Sequence, residues 1–171
     1  SDPEDPVEKL LNSSSSLFGL LTKVSWILRI KQFLVRKVRV NQPLTADDFR
    51  ISMINIVRHL QNKYFHLEMT NSKNQKRLPK TSCLIKLSPF LDNDGVLRVG
   101  GRLQEAPISY DEKHPIILPR CHVTNLMIKE AHAASGHMGR ETVMNNLRRK
   151  FWIIGCNMST RRIVKSCFIC R

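Results

Sequence analysis

Apolar positions along this chain change their period twice, and the changes divide it into helical, short-strand and again helical stretches. From Leu17 to Val38 the residues Leu17, Leu20, Leu21, Val24, Ile27, Leu28, Phe33 and Leu34 recur at the three-and-four spacing that lines one face of a helix. Lys23, Arg29, Lys31 and Arg36 fall mostly off that stripe, and the periodicity assigns Trp26 and Phe33 to core packing. A second helix has a marked start. Thr45-Ala-Asp-Asp48 offers an N-cap hydroxyl with a carboxylate three residues on, and Leu44 and Phe49 are placed as a hydrophobic staple. Phe49, Met53, Ile56, Val57, Leu60 and Tyr64 form its expected buried stripe, and His59 and His66 receive no role.

The period then shortens. After a polar, basic loop at residues 70 to 80 come Cys83-Leu-Ile-Lys-Leu87 and Val96-Leu-Arg-Val99, two β-prone runs around Asp92-Asn-Asp-Gly95 that predict a hairpin. Pro115-Ile-Ile-Leu-Pro119 predicts a third strand, held between prolines and therefore placed at an edge. Gly100 and Gly101 serve backbone shape, because no strand-to-helix phosphate loop surrounds them. Helical spacing returns at Val123, Leu126, Met127 and Ala131 and must stop at Gly136 and Gly139. Two further short helices are expected, from about Arg140 to Lys150 and from about Ser159 to Ser166. The fold class is α+β: N-terminal amphipathic helices, a small unit of hairpin and edge strand, and a C-terminal three-helix unit. Residues 1–16, acidic and rich in Pro and Ser, read as a disordered linker of a longer polypeptide. The helices and basic loop occupy 17–80, the β unit 81–119 and the last unit 120–171, with the main division in the 70 to 80 loop.

The chemistry lies in the last unit. His132 and His137 are followed, after a gap of 29 residues, by Cys167-Phe-Ile-Cys170. Two imidazoles and two thiols in this spacing are the donor set of a closed, tetrahedral, structural zinc site. On a continuous helix an offset of five would place the imidazoles on different faces, so the Gly-permitted turn is needed to return His137 to His132. One zinc ion would then clamp a unit too small to hold itself together by burial alone. His114, Cys121, His122 and Cys156 are rivals by type, but none adds a second closely spaced pair. A redox reading of the CxxC fits poorly, because such a pair opens a helix after a strand and this one follows a basic helix. Five cysteines without a secretory signal favour a reducing, intracellular compartment over a disulfide framework. The apolar run at 17–30 is interrupted by Lys23 and Arg29 and is too short to span a bilayer.

The chain carries a net charge of +14, half of it in residues 140–171, which hold eight Lys/Arg against one acid. Arg140, Arg148, Arg149, Lys150, Arg161, Arg162 and Lys165 are the candidate contacts to a polyanion, whose binding would be salt-sensitive and weakly sequence-selective. Phe151 and Trp152, beside this cluster, are assigned to the small core rather than to base stacking.

The stretch from His132 to Cys170 resembles the HHCC zinc-binding N-terminal domain of retroviral-type integrases, and its details resemble the BEL/Pao class of LTR retrotransposons. The residues that carry this are His132, His137, the Gly139-Arg-Glu-Thr142 turn, the Leu147-Arg-Arg-Lys-Phe-Trp-Ile153 run and Cys167-Phe-Ile-Cys170-Arg171. Upstream, Leu87-Ser-Pro-Phe-Leu-Asp92, Gly95-Val-Leu-Arg-Val-Gly-Gly-Arg-Leu103 and His114-Pro-Ile-Ile-Leu-Pro119 look like the segment preceding that domain in the same polyproteins. One departure is local: Gly155-Cys156-Asn157 stands where a basic residue is expected. The resemblance implies a zinc-dependent module that helps an integrase multimerise and hold the DNA ends of the element, acting in the nucleus. The acidic two-metal catalytic core lies downstream in that family, so the chain by itself is expected to be inactive, with Asp92, Asp94, Asp111 and Glu112 serving turns and loops. The alternative is a domesticated host module on the same zinc fold that binds protein and not DNA.

Overall fold

The computed structural model describes residues 5–37, 42–101 and 107–170. The expected end of the first long helix at Val38, the Arg102-Leu103 end of the glycine-bearing run and the charge of Arg171 lie outside them. The chain forms two compact units, one ending at Ile56 and one beginning at Val57. The division therefore falls inside a helix and not in the 70 to 80 loop.

The first unit holds α1 (Pro6–Ser13), α2 (Leu17–Arg36) and the first part of α3 (Ala46–Tyr64). The stretch read as a linker is thus helical from Pro6. Asp5 accepts from the Val7 amide, proline occupies the first turn where no N–H is needed, and Leu11 is buried. Between α2 and α3, Ser25 and Ser52 share a buried hydroxyl contact of 2.7 Å, and Phe18 stacks on Phe49 at 5.5 Å. The capping box at Thr45 forms as expected, with Asp48 accepting from the Thr45 amide at 2.7 Å. Asp48 also takes Arg29 Nη2 at 2.7 Å and Nε at 3.2 Å, while Arg29 donates to the carbonyls of Gln42 and Pro43. These bonds, Arg29 first and then the Thr45 amide and hydroxyl, hold the Asp48 carboxyl well below the usual carboxylate range. The stripe of α2 is only partly buried. Leu20 is inaccessible, but Trp26, Ile27, Phe33 and Leu34 are exposed, so the assignment of Trp26 and Phe33 to the core is corrected.

The second unit is built around a four-stranded sheet in the order β1-β2-β3-β4. β1 (Phe90–Leu91) and β2 (Leu97–Arg98) form an antiparallel hairpin with Phe90 opposite Arg98. Gly95 adopts a φ of 70° in the turn, and Asp92 Oδ1 accepts from the Val96 amide at 2.9 Å. The first arm of the hairpin begins later than its β-prone run. Ile85–Leu87 is a 3₁₀ turn, because Leu84 and Leu87 both turn toward the core and Pro89 ends any continuous ladder. α4 (His66–Lys73) replaces the start of the expected loop and buries Met69. Phe65, Met69, Leu84, Leu97 and Ile117 make one core cluster, with Ile154 packed against it.

β3 (Ile116–Leu118) is interior and not an edge. Its prolines lie just outside the paired residues, so no ladder N–H is lost, and the Pro115 carbonyl accepts from the Val99 amide at 3.0 Å. β3 pairs in parallel with β4 (Phe151–Ile153), Ile116 opposite Phe151 and Leu118 opposite Ile153. A parallel pair requires a crossover, and α6 (His122–Ala134) and α7 (Arg140–Arg148) supply it. Phe151 and Trp152, expected in a helical core, are therefore a strand, with Trp152 exposed. The short α5 (Tyr110–Lys113) precedes β3, and α8 (Cys156–Ser166) follows β4.

Gln61 ties these parts together. Wholly buried on α3, it accepts from the Leu97 amide at 2.7 Å and donates to the carbonyls of Leu97 at 2.9 Å and Ile117 at 2.7 Å. One side chain thus joins a helix to two strands, satisfying backbone groups that would otherwise be buried without partners.

Candidate metal centre

The site begins with how α6 ends. Val123, Leu126, Met127 and Ile128 bury one face of the helix, and His132 continues that face at 3% exposure. Past Ala134 the amide of Gly136 bonds back to the Ala133 carbonyl and that of His137 to the His132 carbonyl, each at 3.0 Å. These are the two bonds of a Schellman closure, and they put His132 and His137 at the two positions this motif brings into contact. Gly136 and His137 have φ of 68° and 60°, so the turn needs two successive left-handed residues. The rings meet at 4.8 Å between centroids with planes at 83°. The five-residue offset is the spacing of this closure.

The thiols arrive from α8. Ile163 is buried beneath that helix, and Cys167 is its C-cap, with its amide bonded to the Val164 carbonyl. Three residues on, the chain returns Cys170 to the same place. Burial acts to raise the Cys167 thiol, but hydrogen bonds from the amides of Cys170 and Ile169 and from the Cys170 thiol outweigh it, and its pKa is lowered. Burial, the hydrogen bond with Cys167 and that neighbour's charge all push Cys170 up.

The four donor atoms converge within 4.8 Å of one another. His137 Nδ1 lies 3.3 Å from His132 Nε2 and 3.4 Å from Cys167 Sγ, and Cys170 Sγ lies 3.2 Å from His132 Nε2. Zinc at its usual bond lengths to nitrogen and sulfur gives tetrahedron edges of about 3.3–3.8 Å; these three separations lie near the short end of that range, and all four donors stay within 4.8 Å. Ligation through Nε2 places the remaining proton of His132 on Nδ1, a buried atom with no hydrogen-bond partner among the described residues. Four N/S donors with no carboxylate among them make a closed structural site, without an open position for substrate. The donor set fits one zinc ion.

The rival donors are placed elsewhere. His114 Nδ1 is 2.9 Å from the Val99 carbonyl, Cys121 caps α6, and Cys156 contacts Thr160 at 3.5 Å. All five cysteines are free thiols. Of the basic candidates, Arg148, Lys150, Arg161, Arg162 and Lys165 are exposed with no carboxylate partner among the described residues. Arg149 is paired with Glu112 at 2.6 Å and Arg140 with Glu141 at 2.6 Å, so two of the seven are partly neutralised. No helix among the described residues is long and apolar enough to cross a membrane.

Gln61 and β4 went unread in the sequence. Gln61 does carry a local sign, since it falls at the four-residue spacing between buried Val57 on α3 and buried Phe65 just past its end, and is the polar member of that row. Neither a curated protein nor a solved structure matches the chain significantly. Residues 120–171 match the family model of the integrase zinc binding domain. All four donors lie inside the match, while β3, which completes the sheet beside β4, lies before it. Residues 120–171 of this α+β chain are thus similar to the integrase zinc binding domain, and their His132, His137, Cys167 and Cys170 are positioned to bind a single zinc ion.

Proposed function

We propose that the chain is the zinc-dependent, nucleic-acid-binding and multimerisation module of a retrotransposon integrase of BEL/Pao type, holding the DNA ends of the element. The observation that carries this reading is the match over residues 120–171 together with the unpaired cations its fold presents. Arg161, Arg162 and Lys165 fall three and four apart on the exposed face of α8, opposite buried Ile163. A row of this kind tracks phosphates and carries little sequence information. Zinc folds the segment and so positions the row, taking no part in chemistry.

The module contributes binding and no catalytic step. The acids nearest to a cluster are each engaged in structure: Asp92 and Asp111 bind Arg98 at 2.5 and 2.8 Å, and Glu112 caps α5 and binds Arg149. On this reading these carboxylates serve structure.

Fluorescence anisotropy with a labelled duplex, titrated with salt, tests the DNA reading. Binding should weaken steeply with salt, and charge reversal of Arg161, Arg162 and Lys165 together should lower the log–log slope by about 2–3, one phosphate contact per cation. Absence of binding at low salt in zinc-loaded protein would overturn the reading in favour of a protein-binding module.

A further inference from the structure

A second site lies away from the zinc ligands, in the concave surface between the C-terminal end of α4 with its following loop and the segment from Ile85 to Leu91. It encloses about 740 Å³, in the range of cavities that hold a ligand or a peptide's anchoring side chains. Its floor is mainly aliphatic, made by Leu78, Ile85, Pro89 and Leu91 with Phe90. Lys76, Arg77 and Lys80 stand at its rim, all exposed, and none of its lining residues is acidic. No carboxylate among the described residues pairs with these three cations.

The walls are held in costly backbone. Gln75 and Ser88, both in the lining, are two of the four non-glycine residues with positive φ among those described, at 52° and 44°. A Cβ on Gly100 would come within 2.2 Å of the Ser88 carbonyl oxygen, so the Ser88 bend depends on glycine at its back. Phe90 is fixed from behind by the edge-on ring of His114 at 5.1 Å. Backbone of this kind persists only where surrounding packing imposes it, and it concentrates at binding sites.

We propose that this groove binds an acidic peptide segment of a partner protein, with a bulky apolar side chain seated on the Leu78–Ile85–Leu91 floor and flanking carboxylates on Lys76, Arg77 and Lys80. Charge complementarity selects the acidic partner, and the aliphatic floor selects peptide over nucleic acid. A single-strand reader stacks bases on a series of aromatic faces along a basic track, whereas this concavity offers one ring, already engaged, and three cations around an aliphatic hollow. Carboxylates at the rim set orientation and association rate, and the buried anchor supplies most of the affinity. The site is independent of the DNA reading of the zinc segment.

Selection of a displayed library of random dodecapeptides on the zinc-loaded full chain tests the proposal, with binders then measured by anisotropy. Enriched peptides should combine acidic residues with a Leu, Ile, Phe or Trp anchor. Their affinity should fall about tenfold or more in a Lys76→Glu, Arg77→Glu, Lys80→Glu variant. The same number of reversals at Arg161, Arg162 and Lys165 should leave it within about twofold, which separates the groove from the net charge of the chain. Ile85→Glu should weaken binding in the same peptides with the rim cations intact. No enrichment, enrichment of peptides without acids, or equal loss in both triple variants would overturn the proposal. So would a labelled single-stranded oligonucleotide that displaces the peptides and is itself lost on reversal of the groove cations.

Discussion

The zinc ligands and the Gln61 amide do the same mechanical work in two regions of one unit, and by different means. His132, His137, Cys167 and Cys170 join the end of α6 to the end of α8 across 30 residues or more, and they fit together around an ion. Gln61 joins α3 to β2 and β3 across 36 and 56 residues with three hydrogen bonds and no cofactor. The first closure answers to chelators and protons, and the second only to substitution. A chain of this kind can therefore lose its zinc end, β4 included, and keep the β1–β3 part of its sheet.

The largest effect expected is loss of the metal. Structural zinc in small domains contributes apparent binding free energies of ~10–16 kcal/mol, so chelation, or Cys167→Ser, should abolish zinc binding and remove helical signal. Hydrogen exchange would show α6 to α8 opening while the Leu97 amide, held by Gln61, stays protected. If Leu97 lost protection in step, the two closures would be one cooperative device. Acid should act in the same direction, because zinc needs neutral imidazole and thiolate. Affinity should fall as pH drops, because protons compete with the ion for its donors.

Next comes Gln61→Ala. It strands the Leu97 amide and the Leu97 and Ile117 carbonyls in the core, at a cost of about 1–3 kcal/mol for each group left unsatisfied. Denaturant melts should show a destabilisation of at least ~3 kcal/mol, with one zinc per chain retained. A Gln61 variant that also lost zinc would show that the sheet positions the ligands.

Gly136→Ala is expected to be milder. No atom lies within 4 Å of the added carbon, so the penalty is the left-handed backbone alone, about 1–2 kcal/mol. Competition with a chromophoric chelator should show zinc affinity lower by about tenfold, and Gly136→Asn should recover part of it. The smallest effect concerns the first unit. Asp48 has its pKa depressed by Arg29 and Thr45, so its contribution is full above the ordinary carboxylate range near about 3.9 and is lost as pH falls below it. Asp48→Asn should flatten the acid limb of stability there and leave zinc content unchanged.

Much of this molecule was legible from residue spacing because the interactions concerned are local. The Thr45 capping box spans three residues, the Asp-Gly turn four, and the His132–His137 closure five; each is a short backbone motif with its own residue preferences. The helices of the last unit followed from apolar period and glycine stops for the same reason. Periodicity misplaced what depends on partners. Trp26 and Phe33 lie on a helical stripe yet are exposed, since a stripe says which face is apolar and not how much of it a neighbour covers. Phe151-Trp152-Ile153 became a strand because Ile116–Leu118, more than thirty residues earlier, offered a parallel edge.

The sequence by itself determined the donor set, the closed character of the site, the helices that bring the donors together and the excess of positive charge. Tertiary structure decided which cations remain unpaired, that the zinc-binding segment shares its sheet with upstream strands, and that a buried glutamine locks that sheet. It also formed the groove between α4 and β1. The physical reason is range: backbone geometry ties residues a few positions apart, whereas hydrogen bonds and ion pairs between distant segments are set by the packing that brings them within reach.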